Sequence, residues 1–244
     1  MGPIEKSILS TLAYYDTNES PLNFYELWRF CIPSSRFGYQ KTTITPNEIS
    51  KSLSLLKSLN LIEEKNGYFM LVGRSDLYEK RINRKKISDQ KWKKAIRTLG
   101  WFRLAPYVRA VFASGSLASE NTDLKSDWDV LVVAKSGRIW TCRLIVSLLM
   151  SLLGARRKRD DKVAPDKICL NHYITDESLQ IPFHSLYNAQ TYAHLVPVFY
   201  DDIKIIEEFQ EENGWIGEFV NDWHVSSSKT YRIIKRNFLL AFMK

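Results

Sequence analysis

Apolar residues recur at helical spacing through residues 4 to 15 and 22 to 31, the second run opening just after Pro21. Residues 32 to 45 carry Pro, Ser and Gly without periodicity and read as a loop. Thr45-Pro46-Asn47-Glu48 then supplies an N-cap, a proline at the first helical position and an acid at the third, a capping box. The helix it starts sets Ile49, Leu53, Leu56 and Leu59 on one face and closes at Asn60. Leu61-Ile62 leads through Asn66-Gly67 into Tyr68 to Leu71, and Asn-Gly between apolar runs is a strong hairpin signal. Residues 75 to 104 predict a helical connector, with Trp92, Ala95, Ile96, Leu99 and Phe102 on its packing side. An apolar strand ending at Ala113 follows, then a Ser-Gly-Ser turn, a short helix and a second strand through Val130 to Val133. The next helix, 139 to 153, is apolar almost all round and is expected to be buried against the sheet. Lys167 to Ile174 reads as a further strand, and residues 183 to 196 and 203 to 223 as helices.

Chemistry concentrates in the strand–turn–strand unit. Ten residues separate Ser116 from Asp127, and Asp127 and Asp129 flank Trp128. Strand residues two apart share a face, so both carboxylates point one way. Adjacent carboxylates repel unless a cation lies between them, and hard oxygen ligands on an open edge suit Mg²⁺. The Gly115-Ser116 turn at a helix start offers backbone N–H groups and a hydroxyl to a phosphate.

An apolar strand, Gly115-Ser116, about ten residues, then Asp127-x-Asp129 before an apolar run resembles the DNA polymerase β-like nucleotidyltransferase superfamily over roughly residues 90 to 180. The helices and hairpin of residues 1 to 74 resemble a winged helix-turn-helix. The resemblance implies an α+β protein in four parts: a winged helix-turn-helix (1–74), a basic helical connector (75–104), a nucleotidyltransferase core with a mixed sheet flanked by helices (105–182), and C-terminal helices (183–244). It further implies transfer of a nucleoside monophosphate from a nucleoside triphosphate, with release of pyrophosphate. Gly115 and Ser116 would then bind nucleotide, and Asp127 and Asp129 would be catalytic and hold Mg²⁺ or Mn²⁺. Members of the superfamily usually carry a third acid on the neighbouring strand. Cys169, Asn171 and Tyr173 share one face of the matching strand here, which makes Asn171 the candidate third position, and an amide is no base. Asp160, Asp161, Asp166 and Asp176 lie on flanking stretches as substitutes. A different class of function therefore stands beside the enzyme: a catalytically degenerate nucleotide- or nucleic-acid-binding regulatory module working through its winged helix.

Composition adds to this without choosing. The chain has 244 residues, 45% hydrophobic, with a formal net charge of +8 that favours an anionic partner such as nucleic acid or nucleotide. Basic residues cluster along 80–97 and at Arg156 to Arg159, as phosphate contacts or as solvated charge. On the outer face of the third helix, Asn47, Ser50, Lys51, Ser54, Lys57 and Ser58 are candidates for a groove, while Glu63 and Glu64 near the hairpin would repel phosphate. Cys31, Cys142 and Cys169 are far apart, which fits a reducing compartment rather than a disulfide framework or zinc site. The N-terminus lacks a signal-peptide pattern, and the apolar run 144–153 is too short to span a bilayer, so the expectation is a cytoplasmic protein. From Tyr231, basic residues join Phe238 to Met243, a candidate for protein association, a membrane surface, or a chain that continues.

Overall fold

A computed structural model describes residues 1–225; the expected C-terminal tail from Tyr231 lies outside the described residues. In chain order the elements are α1 (Pro3–Asp16), β1 (Leu22–Asn23), α2 (Phe24–Phe30), α3 (Pro46–Ser58), β2 (Ile62–Lys65), β3 (Tyr68–Leu71), α4 (Leu77–Leu99), β4 (Val108–Ala113), α5 (Gly115–Ala118), β5 (Trp128–Ala134), α6 (Ile139–Leu152), β6 (Ile168–Thr175), α7 (Leu186–Ala193), β7 (Val196–Tyr200) and α8 (Lys204–Glu212). The fold is mixed α and β, with a three-stranded and a four-stranded sheet among the described residues. The described residues divide into two compact units, residues 1–83 with 183–193 and 214–224, and residues 84–182 with 194–213 and 225.

In the first unit, α1, α2 and α3 accompany a small antiparallel sheet of order β1-β3-β2. The turn between β2 and β3 uses Asn66 at φ 50° and Gly67 at φ 80°, the two positive φ values a tight two-residue hairpin needs. Thr45 and Glu48 form the expected capping box of α3, and Asn60 closes its end at φ 55°. A second capping box joins Asn23 to Glu26 at the start of α2, the Glu26 N–H donating to Asn23 Oδ1 at 2.9 Å. Ile8, Leu27, Ile49, Leu53 and Leu56 are buried. Leu59, expected inside, is 53% exposed instead: it caps α3, where the chain leaves the helix and the side chain no longer follows the buried face.

In the second unit the sheet order is β6-β5-β4-β7. β4 pairs antiparallel with β5 and β7, and β5 runs parallel to β6. Val108 to Ala113 and Val130 to Ala134 are almost all fully buried, as expected of strands in the middle of a sheet. Trp92, Leu99 and Phe102 pack into this core with Val111, Val132 and Val146. β7 has no counterpart among the expected elements, which ran as helices over 183–196 and 203–223 and left the stretch between them unassigned. Pro197 hides it: proline cannot donate to a ladder and is tolerated at an edge, where β7 pairs only with β4. Residues 183–225 alternate between the two units.

The expectation for α6 also changes. Cys142, Val146 and Met150 are buried, but Trp140, Leu144, Leu148 and Leu152 are 76%, 60%, 55% and 86% exposed. One face of a helix suffices to cover a sheet, so an apolar composition all round does not oblige burial all round.

Candidate functional site

The site forms where β4 ends and β5 and β6 begin. β4 stops at Ala113 and the Ser114 N–H donates to the Asp129 carbonyl at 2.9 Å, tying the turn to the first residues of β5. Gly115 follows at φ +61°, a backbone region costly for a residue with a Cβ. A Cβ at Gly115 would fall on the Asp129 carboxylate, 3.2 Å from its carboxyl carbon and closer still to an oxygen. Glycine is thus required twice, by conformation and by room for the acid. α5 is a single turn of four residues. Leu117 is buried, and its carbonyl accepts from the Trp92 indole N–H at 3.1 Å, which fixes the turn to α4.

The acids are held by two stitched loops. Asp123 accepts from the N–H groups of Lys125 and Ser126, both at 2.8 Å. The Trp128 N–H donates to the Lys167 carbonyl at 2.8 Å, and Lys91, almost fully buried, donates to the Ser126 carbonyl at 2.7 Å and pairs with Asp166 at 2.9 Å. With Trp128 anchored in the core at 1% exposure, Asp127 and Asp129 both remain half-buried at the sheet edge.

Register decides the third member. β5 and β6 pair Asp129 with Cys169 and then Leu131 with His172, so β6 carries one extra residue between them. This bulge breaks the alternation that sequence spacing assumes. Cys169 stands across from Asp129, while Asn171, expected at the third position, is exposed. Ligand atoms of Asp127, Asp129 and Cys169 all lie within 4.8 Å of one another. Among the described residues no third carboxylate joins them. Asp166 is held by Lys91 and Lys94, Asp176 by Arg109 at 3.0 Å, and Asp161 accepts from the Lys158 N–H at 3.0 Å.

The electrostatics follow from this crowding. Burial first, and the neighbouring Asp127 second, raise the Asp129 carboxyl above the usual range, with Cys169 and Arg157 pulling partly the other way. The Cys169 thiol is raised for the same reasons, burial and then the two acids. Arg157 answers the charge: its Nη1 donates to Asp127 Oδ2 at 2.5 Å, and that contact raises the guanidinium's own pKa. Beside this pair opens a pocket of about 190 Å³ lined by Lys125, Ser126, Asp127, Arg157 and Lys162 together with Asp123. Three of its lining residues, Lys125, Arg157 and Lys162, are cations; Gly115 and Ser116 do not line it.

The chain matches no protein-family model, no curated protein and no solved structure. What the site can do is therefore argued from its donors alone. Two carboxylates on one edge fit a hard divalent cation, and a thiol in third place shifts the preference toward a softer one. Four of the expected residues, Gly115, Ser116, Asp127 and Asp129, lie within one strand–turn–strand unit. Sequence reasoning missed Cys169, because its place depends on a bulge, and Lys125 and Lys162, because isolated lysines carry no signal. It read Arg157 only as part of a basic run.

Proposed function

We propose that the chain is a nucleotidyltransferase-type protein with a winged helix-turn-helix ahead of the catalytic sheet, and that it transfers a nucleoside monophosphate from a nucleoside triphosphate to an acceptor. The observation that carries this reading is Gly115 without a side chain against the carboxylate of Asp129, one strand over from the turn that would meet phosphate. Asp127, Asp129 and Cys169 would hold one divalent ion, Mn²⁺ in preference to Mg²⁺ because of the sulfur. Such an ion, when bound, supplies a positive charge that offsets the triphosphate and favours departure of pyrophosphate. Arg157, Lys125 and Lys162 bind the phosphate chain in the neighbouring pocket, whose volume suits phosphates better than a whole nucleotide. Ser116 and the first N–H groups of α5, which have no intrahelical partner, bind a phosphate oxygen at the other side of Asp129. No side chain of the cluster is poised as a strong base, so the acceptor hydroxyl passes its proton to water or to a phosphate oxygen, and turnover is slow, by roughly 10²–10⁴-fold against a site with a general base.

Incubation with α-labelled nucleoside triphosphates, Mn²⁺ or Mg²⁺ and RNA, DNA or cell lysate tests this. Label transfer lost in Asp127→Ala and Asp129→Ala is the expected result; no transfer under any of these conditions would sink the enzyme. One observation favours the second reading, a nucleotide-binding regulatory module: the missing third carboxylate among the described residues. It predicts nucleotide binding without turnover, and turnover appearing in Cys169→Asp. In either case α3 makes a poor nucleic-acid reader. Of its two outward lysines, Lys57 is paired with Glu64 at 2.6 Å, whereas Leu55, Leu59, Leu61 and Val72 are exposed and fit a protein partner.

A further inference from the structure

The exposed ridge of α6 is an apolar feature of the described residues that the nucleotide reading leaves unused. Trp140, Leu144, Leu148 and Leu152 recur every four residues along about 18 Å of helix, at twelve steps of ~1.5 Å. Between them on the outward face stand only Thr141, Arg143, Ser147 and Ser151. The ridge protrudes: Trp140 and Leu152 at its ends are 76% and 86% exposed, so the shape is that of an inserting edge and not of a groove. Apolar surface of this extent marks an interaction site.

Charge says with what. Residues 130–159 contain seven lysines and arginines and no aspartate or glutamate. Arg138 stands before the first turn, Arg143 lies over the Trp140 ring at 6.0 Å, and Arg156, Lys158 and Arg159 follow the last turn, all of them exposed. Only Asp160 and Asp161 follow, Asp161 already accepting from the Lys158 N–H, so two copies meeting on this ridge would bring together more exposed cations than acids to pair them. Residues 226–244 are disfavoured on the same ground, since they carry Lys229, Arg232, Lys235, Arg236 and Lys244 and no acid. A convex apolar ridge flanked at both ends by arginines, with tryptophan at one end, matches a helix lying in the plane of a membrane surface. No described helix is long and apolar enough to cross a membrane, so contact of this kind is lateral.

We infer that α6 is an interfacial helix that lays its Trp140–Leu144–Leu148–Leu152 ridge into the headgroup region of an anionic phospholipid bilayer. The leucines enter the acyl boundary, and the flanking arginines and Lys158 meet lipid phosphates. The tryptophan indole sits at the level of the headgroups.

The test is co-sedimentation of the full chain with vesicles of phosphatidylcholine alone and of phosphatidylcholine with phosphatidylglycerol, two to one. Binding is expected to the anionic vesicles and to weaken as salt is raised. Leu144→Ser with Leu148→Ser should lower the partition coefficient at least about tenfold. Arg156→Gln with Arg159→Gln should lower it roughly fivefold per charge. All four side chains are solvent-facing, and circular dichroism of the variants checks that they fold. Equal binding to both vesicle types overturns the proposal. So does anionic binding that survives the leucine changes and disappears when residues 226–244 are removed. Absence of vesicle binding, with a dimer that the leucine changes dissociate, assigns the ridge to a second copy and also overturns it.

Discussion

At the scale of single residues, Gly115 and Asp129 are one device. The carboxylate occupies the space a Cβ would take, so Gly115→Ala must displace the acid as well as strain the turn. It should cut metal-dependent transfer by on the order of 10²-fold, as misplacement of a ligand by about an ångström does, while stability falls by only about 1 kcal/mol. A kinetic assay beside a urea titration separates the two effects. Asp129 also carries a predictable pH signature. Its folded pKa lies above the ordinary carboxylate value, chiefly through burial. The protonated form is therefore the one folding favours, and the ionised form costs stability at neutral pH. Metal-free Asp129→Asn should accordingly melt higher than the parent at pH 7, and the gain should vanish as pH falls through the raised pKa toward about 4. A parent as stable as the variant at pH 7 would remove the case for a strained, metal-ready acid. The spacing from Ser116 to Asp129 is legible in the sequence because it is local. The place of Cys169 is not, because one extra residue in β6 reverses which side chains face the acids.

Among the elements, α2 shows how a short helix is held. Glu26 accepts from the Asn23 N–H at 3.0 Å through one oxygen and from Arg81 at 2.6 Å through the other, and the Arg81 side chain is 2% exposed. Removing Asn23's cap should cost about 1 kcal/mol. Glu26→Ala should cost more, about 3 kcal/mol, because it strands a buried guanidinium. Chemical denaturation of the two variants gives the order directly. The capping box of α3 and the Asn66-Gly67 hairpin are legible because their signals lie within a few residues of each other. The Glu26–Arg81 pair spans 55 residues and has no such signature. α6 misleads for another reason: hydrophobic count predicts burial only when something is present to cover each face, and here Trp140 and the three leucines remain outside.

For the whole molecule, the chain returns to close each unit with segments distant in sequence. Asn213, fully buried, donates to the Leu179 carbonyl at 3.0 Å and accepts from the Ile181 N–H at 2.8 Å, fastening the loop after β6 to the end of α8. Asn213→Ala would leave these groups unpaired and should cost about 1–3 kcal/mol, read as a lower melting temperature. Arg109 works similarly at the end of the strands away from the acid pair, pairing with Asp176 at 3.0 Å and Asp201 at 2.7 Å.

Arg157 has a consequence for the order of events at the acid pair. Its guanidinium already neutralises Asp127, so a cation arriving alone must compete with a tethered one. On the proposed function, a triphosphate in the adjoining pocket would offer Arg157 another anion and release the carboxylate. Nucleotide and Mn²⁺ should then bind with positive coupling, each raising the other's affinity by the same factor. Titration calorimetry should find that factor reduced in Arg157→Ala, where Mn²⁺ alone binds more tightly than to the parent.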